Sequence, residues 1–137
     1  MVYQYVLVAA MAASPIGEEL VAIPLGIGFD LPPIAVGIVA LVFNFLPAVL
    51  ISALFARAER SGGSLKWLTR LRRERVARLL DRFGIPAIVA GAPWLGVYGT
   101  VATLEMMGMR RRRILGAVFA SLVIYAVIFT AASAAIF

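Results

Sequence analysis

The stretch RFGIPAIVAGAPWLGVYGTVATLEMMGMRRRR, residues 82–113, decides how this chain is arranged. It leaves one basic cluster, Arg57 to Arg82, and closes on another, Arg110-Arg111-Arg112-Arg113. Between them the sequence is apolar but broken. Ile85-Pro86 opens it, Pro93-Trp94-Leu95-Gly96 interrupts it, Tyr98-Gly99-Thr100 comes next, and Glu105 lies near its far end. Lys and Arg beside apolar spans mark the cytoplasmic side of a membrane. A single crossing by residues 84–103 would leave one cluster outside, so the segment is expected to enter and return by one face. Irregular backbone at membrane depth survives only when buried in protein or lining a wet cavity.

Outward from this stretch the pattern is consistent. All 13 basic residues lie between Arg57 and Arg113. The chain of 137 residues is 63% hydrophobic and 15% charged, with a mean hydropathy of +0.98. A soluble domain of this size needs more polar surface. The uncharged runs 31–56 and 114–137 each exceed the roughly 20 residues that span a bilayer core. They predict an integral, multi-pass protein of the cell membrane. One full span is expected over Ile34 to Ala58, with Asn44 and Pro47 near its middle, and another over Ile114 to Phe137. The net charge of +6 and pI near 10.8 read as a cytoplasmic face near anionic lipid. No nucleic-acid recognition motif accompanies them, so nucleic acid is not an expected partner. No basic stretch precedes the N-terminal apolar segment, so it does not read as a signal peptide.

Residues 1–29 form the other broken segment. Val2 to Ala13 reads as a short helix, stopped at Ser14-Pro15-Ile16-Gly17 because proline disfavours helical backbone at the residue before it. Glu18 to Gly26 reads as a second short helix, punctuated by Pro24. Neither piece can cross alone, and two carboxylates at the break favour a re-entrant hairpin over one kinked span. Asp30-Leu31-Pro32-Pro33 is a turn, proline suiting the first turn of the next helix. Ser61-Gly62-Gly63 is a joint, and Ser64 can cap a helix beginning at Leu65. From Leu65 to Phe83 the apolar residues recur at helical spacing among Arg and Lys, which predicts an amphipathic helix on the cytoplasmic membrane face.

The expected fold is therefore an all-α integral membrane protein with an inverted-topology repeat. Each half is a re-entrant helical hairpin plus one full transmembrane helix: residues 1–58 and 84–137, joined by the basic connector 59–83. The whole is one membrane domain, with both termini outside and the basic residues inside. In such repeats the substrate site lies where the broken helices meet near the midplane. Two spans and two hairpins enclose little, so a homodimer is expected.

The run Pro15-Ile16-Gly17-Glu18-Glu19-Leu20-Val21-Ala22-Ile23-Pro24-Leu25-Gly26 resembles the putative small multidrug export protein family. That family typically shows a Glu a few residues before an Ile-Pro-Leu-Gly stretch. Phe43-Asn44-Phe45-Leu46-Pro47 resembles its Asn-x-x-Pro pattern, and Arg82-Phe83-Gly84 through Pro93 and Gly96 is similar to its second hairpin. The family often has an Arg soon after the Glu, where this chain has Leu20 and Val21. The resemblance extends to the wider DedA superfamily, with two re-entrant hairpins. It implies transport of an amphipathic molecule, lipid phosphates among the relatives' associated substrates.

The candidate site residues are chosen by membrane depth. A charge there costs at least about 2.5 kcal/mol, so Glu18 and Glu19 are expected to face a cavity and bind a proton or substrate. The bland alternative is a shallow hairpin with both in interfacial water. Adjacent helical residues point in different directions, so one carboxylate could take a proton while the other caps a half-helix. Asn44 reads as either an interhelical hydrogen bond or a head-group ligand. Arg82 could draw phosphate to the inner entrance or simply anchor. Pro15, Pro24, Pro47, Pro93, Trp94, Gly96 and Tyr98 are the candidates for helix breaks and cavity lining. Thr100 and Thr103 could satisfy freed backbone groups, and Glu105 is expected at the inner interface beside an arginine.

With no Cys and no His, thiolate and imidazole metal sites are absent, and no metal or cofactor is expected. Any proton-coupled step near neutral pH falls to a buried carboxylate. No nucleophile–base arrangement suggests an enzyme. The leading expectation is a proton-coupled flippase for a lipid phosphate such as a polyprenyl phosphate or phospholipid, with membrane lipids as partners. The alternative is proton-coupled export of lipophilic cations, which the acidic pair without a nearby Arg suits. A non-transporting scaffold is the third.

Overall fold

The computed structural model describes residues 1–61 and 65–136, the side chains of 65–81, 83, 93 and 94 excepted. The elements are α1 (Val2–Ala13), α2 (Glu18–Gly28), α3 (Pro33–Ser61), α4 (Leu65–Met106) and α5 (Arg111–Ile136), and no strand occurs among the described residues. Pro24 does not stop α2, which continues to Gly28 rather than ending at Gly26. The expected cap at Ser64 and the Gly62-Gly63 joint lie outside the described residues.

The α4 stretch is helical in pieces. Gly84 (φ 65°, ψ −180°) and Gly96 (φ 72°, ψ 156°) leave the helical conformation for a region essentially reserved to glycine. The chain reverses at the second break. Thr100 Oγ1 lies 3.5 Å from Ala92 O, whereas continuous helix would separate these residues by about 12 Å. The connector 65–83 is helical as expected; its apolar face falls outside the described side chains.

The packing directions are set by contacts. α1 and α2 run antiparallel: Ala12 and Glu19 meet one amide of α3. A Cβ on Gly26 would lie 2.9 Å from Val8 and 2.6 Å from Val36, so only glycine lets α1, α2 and α3 approach so closely. α3 and α5 are also antiparallel. Arg111, at the start of α5, reaches Glu59 near the end of α3 at 2.9 Å. At the opposite end, Gly37 faces Thr130. Between the two ends Phe45 meets Phe119 edge-on, with ring centroids 5.1 Å apart. The Glu59–Arg111 contact means that the chain leaves α3 and enters α5 at one end of the molecule.

Two apolar clusters result. One joins α1 and α2 to the first half of α3, with Val8, Ile23, Leu31, Val36 and Ala40 buried, and takes Ala126 from α5. The other joins the last piece of α4 to the first half of α5, with Val97, Val101, Met109, Ile114 and Val118 buried, and takes Ala48 from α3. The ends of α2 and α4 are built alike. Leu31 N–H donates to Gly26 O and Asp30 N–H to Ile27 O; Met109 N–H donates to Leu104 O and Gly108 N–H to Glu105 O. Asp30 and Gly108 both have positive φ, completing the same Schellman cap. α5 begins at Arg111, ahead of the span expected from Ile114. Cations at a helix N-terminus face the unfavourable end of its dipole, which the ion pairs of Arg111 offset.

Candidate functional site

Where each helix pair breaks, backbone groups lose their partners and must find others. At the first break one side chain serves both sides. Asn44, 1% exposed on α3, donates from its amide nitrogen to Ala12 O and accepts from Glu19 N–H, both at 3.3 Å, in the orientation that satisfies both ends. It thus closes the last turn of α1 and the first turn of α2. Gly17 N–H donates to Ser14 Oγ at 2.9 Å. Asn44→Leu removes partners from two buried backbone groups, at about 1–3 kcal/mol each. Thermal unfolding in detergent is expected to show a clear drop in midpoint, larger than for Asn44→Asp, whose carboxylate can still accept from Glu19 N–H.

The second break has its own set of hydroxyls. Pro93 has no N–H, so Val89 O has no i+4 donor. Ser121 on α5 donates to Val89 O at 2.8 Å, Tyr125 to Ala90 O at 3.3 Å, and Thr100 to Ala92 O at 3.5 Å. Thr100 therefore satisfies a freed carbonyl, as its place in the sequence suggests; Thr103 has no such bond among the described contacts. Ser121 and Tyr125 do not stand out in the sequence, although a hydroxyl on a spanning helix near a proline break is the available signal.

The two breaks meet. Glu18 Oε1 accepts from Val97 N–H at 2.7 Å, and the Tyr98 hydroxyl donates to Ala13 O. Val97 opens the last helical piece of α4, so Glu18 caps that piece from the other half of the chain. Room for the carboxylate comes from Gly96, where a Cβ would sit 2.7 Å from Glu18 Oε1. Glu18 itself has φ 43°, an uncommon conformation for a residue with a side chain. Glu19 beside it is 4% exposed, and its Oε2 has no hydrogen-bond partner among the described residues. Both carboxylates, with Asn44, Val97, Ser121 and Tyr125, border a small central cavity of about 10 Å³. It lies about halfway along α3 and α5.

A second polar cluster sits at the end where the chain enters α5. The Arg111 guanidinium donates from Nε to Ser52 O at 3.1 Å and from Nη2 to Glu59 at 2.9 Å, and its Nε pairs with Glu105 Oε1 at 3.2 Å. Glu105 has the arginine partner expected for it but is buried, 3% exposed. Burial raises its carboxyl above the ordinary range, Ser52 and Arg111 oppose that rise, and Glu59 adds to it.

Of the residues singled out by sequence, Glu18, Glu19, Asn44, Gly96 and Tyr98 come together. Pro15 is exposed at the first break, Pro24 is half-buried in α2, and Pro47 is buried in α3. Arg82 is exposed and is not among the cavity-lining residues. The side chains of Pro93 and Trp94 lie outside the described residues. No group of three or more carboxylates that could hold a metal occurs among the described residues.

A family model described as "Putative small multi-drug export protein" matches residues 18–128. The chain belongs to this family. No curated protein and no solved structure is similar enough to match. The export-protein match covers Glu18, Glu19, Asn44 and the whole second break. With it, α3 and α5, whose most apolar windows reach mean hydropathies of 2.6 and 2.4, make this a membrane protein with transmembrane helices.

Proposed function

We propose that this chain is a proton-coupled exporter of lipophilic cations, with the acidic pair at its centre. The observation that carries the reading is the meeting of the two helix breaks at Glu18, where a carboxylate of one half caps a half-helix of the other. Among the described residues, the cavity there is bordered by two carboxylates and no basic side chain. Such a site favours a proton or a cation and disfavours an anion. The family's description points the same way.

The alternating-access frame has its own support. Glu59 and Arg111 meet at one end of the molecule, and the second break in the chain between them reaches the middle at Glu18, which favours a re-entrant hairpin. The matching caps at Asp30 and Gly108 set a constant offset between halves. At that offset Glu18 falls on Gly96, both with positive φ, and Glu19 on Val97, whose N–H groups are both capped. Ala48 falls on Ala126, each lent to the other half's cluster. This favours an inverted repeat related by a two-fold axis through the site. Arg57, Arg60 and the Arg110–Arg113 block then face the cytoplasm, with both termini outside. A homodimer supplies the wall that two spans lack.

The second reading is movement of a lipid phosphate. It draws on the half-helix N-termini at Glu19 and Val97, whose dipoles favour an anion, and on the basic inner face. Proteoliposomes separate the two when offered a lipophilic phosphonium or a fluorescent polyprenyl phosphate, with and without a pH gradient. Gradient-driven uptake of the phosphonium, lost in the Glu18→Gln, Glu19→Gln double variant, is the expected result. Movement of the polyprenyl phosphate alone would replace cation export with the lipid reading. No movement of either by folded protein would point to a scaffold.

A further inference from the structure

The two adjacent carboxylates do different work. Glu18 is half-buried and already engaged: its Oε1 is held by Val97 N–H, and the left-handed backbone at Glu18 turns it toward Gly96. A cap of this kind needs an acceptor oxygen and does not need a charge. Glu19 is 4% exposed, and its Oε2 is unpartnered among the described residues. It borders a cavity of about 10 Å³, near the 10–15 Å³ that one water-sized occupant requires. A buried carboxylate oxygen without a partner is costly unless something fills that place. The titratable groups bordering the cavity with it are Glu18 on its own helix and Tyr125 from α5; the described residues of α1, α3 and α4 bring none there, only the Asn44 amide. A site this small admits a proton or one bare monovalent cation and excludes an organic substrate.

We infer that Glu19 alone binds the small monovalent cation, proton or sodium, that drives transport, while Glu18 is a positioning residue that latches the two helix breaks together. The inference rests on the transport reading above for its role, though the ion site itself can be tested without transport. The difference shows in the conservative variants. Glu18→Gln keeps an amide oxygen that accepts from Val97 N–H. Glu19→Gln keeps the shape and removes the buried carboxylate that can take up a proton or neutralise a cation there. A ligand that no longer distinguishes two states cannot shift them, so Glu19→Gln should uncouple the protein without unfolding it.

The test uses the full chain as wild type, Glu18→Gln, Glu18→Ala and Glu19→Gln, with two readouts. Infrared difference spectra of the purified protein, taken on a pH jump and separately on sodium addition, track the carboxyl that takes up the ion. The ion-induced carboxyl signal is expected to persist in Glu18→Gln and vanish in Glu19→Gln; the arm that produces it names the ion. In proteoliposomes, Glu19→Gln is expected to lose gradient-driven phosphonium accumulation and keep phosphonium exchange. Glu18→Gln should keep both at reduced rate, and Glu18→Ala should lose both. A carboxyl signal that vanishes in Glu18→Gln and persists in Glu19→Gln overturns the inference, as does wild type with no signal in either arm. If wild type moves no phosphonium yet shows the Glu19 signal, the export reading fails and the ion site stands.

Discussion

Gly96→Ala is expected to abolish transport and to lower stability by about 3 kcal/mol or more. Two separate costs converge on this position. The backbone at φ 72°, ψ 156° lies where a residue with a Cβ pays of order 1–3 kcal/mol. The added Cβ would also sit 2.7 Å from Glu18 Oε1, so the carboxylate must leave Val97 N–H and strand a buried donor, at about 1–3 kcal/mol. Gly99→Ala is the control. A Cβ there meets nothing within 4 Å, and alanine in a helix is favoured over glycine by roughly 0.5–1 kcal/mol. The check is thermal unfolding in detergent together with phosphonium transport. Adding Glu18→Ala to Gly96→Ala is expected to lower stability little further, because the collision has already broken the cap on Val97 N–H that Glu18→Ala would remove. A further loss as large as that of Glu18→Ala alone would show that the cap survives in Gly96→Ala and that the collision is irrelevant.

Arg111→Gln is the second large effect, and its signature is pH dependence. The guanidinium is the counter-charge for Glu105, which is 3% exposed, and it also binds Ser52 O and Glu59. Breaking a fully buried pair costs about 3–5 kcal/mol; Arg111 is itself about one-third exposed, so roughly 2 kcal/mol is expected. Burial already raises the Glu105 carboxyl, and Arg111 is one of the groups that lowers it. Without Arg111 the folded-state value rises further. A carboxyl raised on folding costs stability above its unfolded-state value, where the unfolded chain is ionised, and costs nothing at pH low enough to protonate both states. The gap in unfolding midpoint between wild type and Arg111→Gln should therefore be smallest in acid and widen as pH rises through the raised folded-state value of Glu105. A gap independent of pH would show that Glu105 is not the group left without its partner.

Both effects depend on residues whose types the sequence displays and whose partners it hides. Asn44 stands out as an amide inside an apolar span, and Glu18 and Glu19 as charges where charges are expensive. Nothing local distinguishes Glu18 from Glu19, because the distinction is made by Val97, far along the chain. Gly96 reads as one element of a break; its role as the space for a carboxylate depends on how close the other half comes. Ser121 and Tyr125 look like ordinary polar residues of a span until Pro93 and the break place bare carbonyls opposite them. The nearness of the Arg block pairs Glu105 with an arginine, but which arginine, and that the pair is buried, depends on α3 lying against α5.

The sequence by itself determined the helical class, the two spans, the two breaks and the end of the molecule that carries the basic residues. Those are consequences of length, hydropathy, proline and glycine placement and the asymmetry of charge, all of which act locally along the chain. Only the tertiary structure decided which broken backbone groups cap one another, which carboxylate is engaged and which is left open, and where Arg111 places its charge. Those depend on contacts between segments dozens of residues apart. In an apolar surrounding each unpaired polar group is costly, so the pairing that satisfies them all sets the geometry of the site.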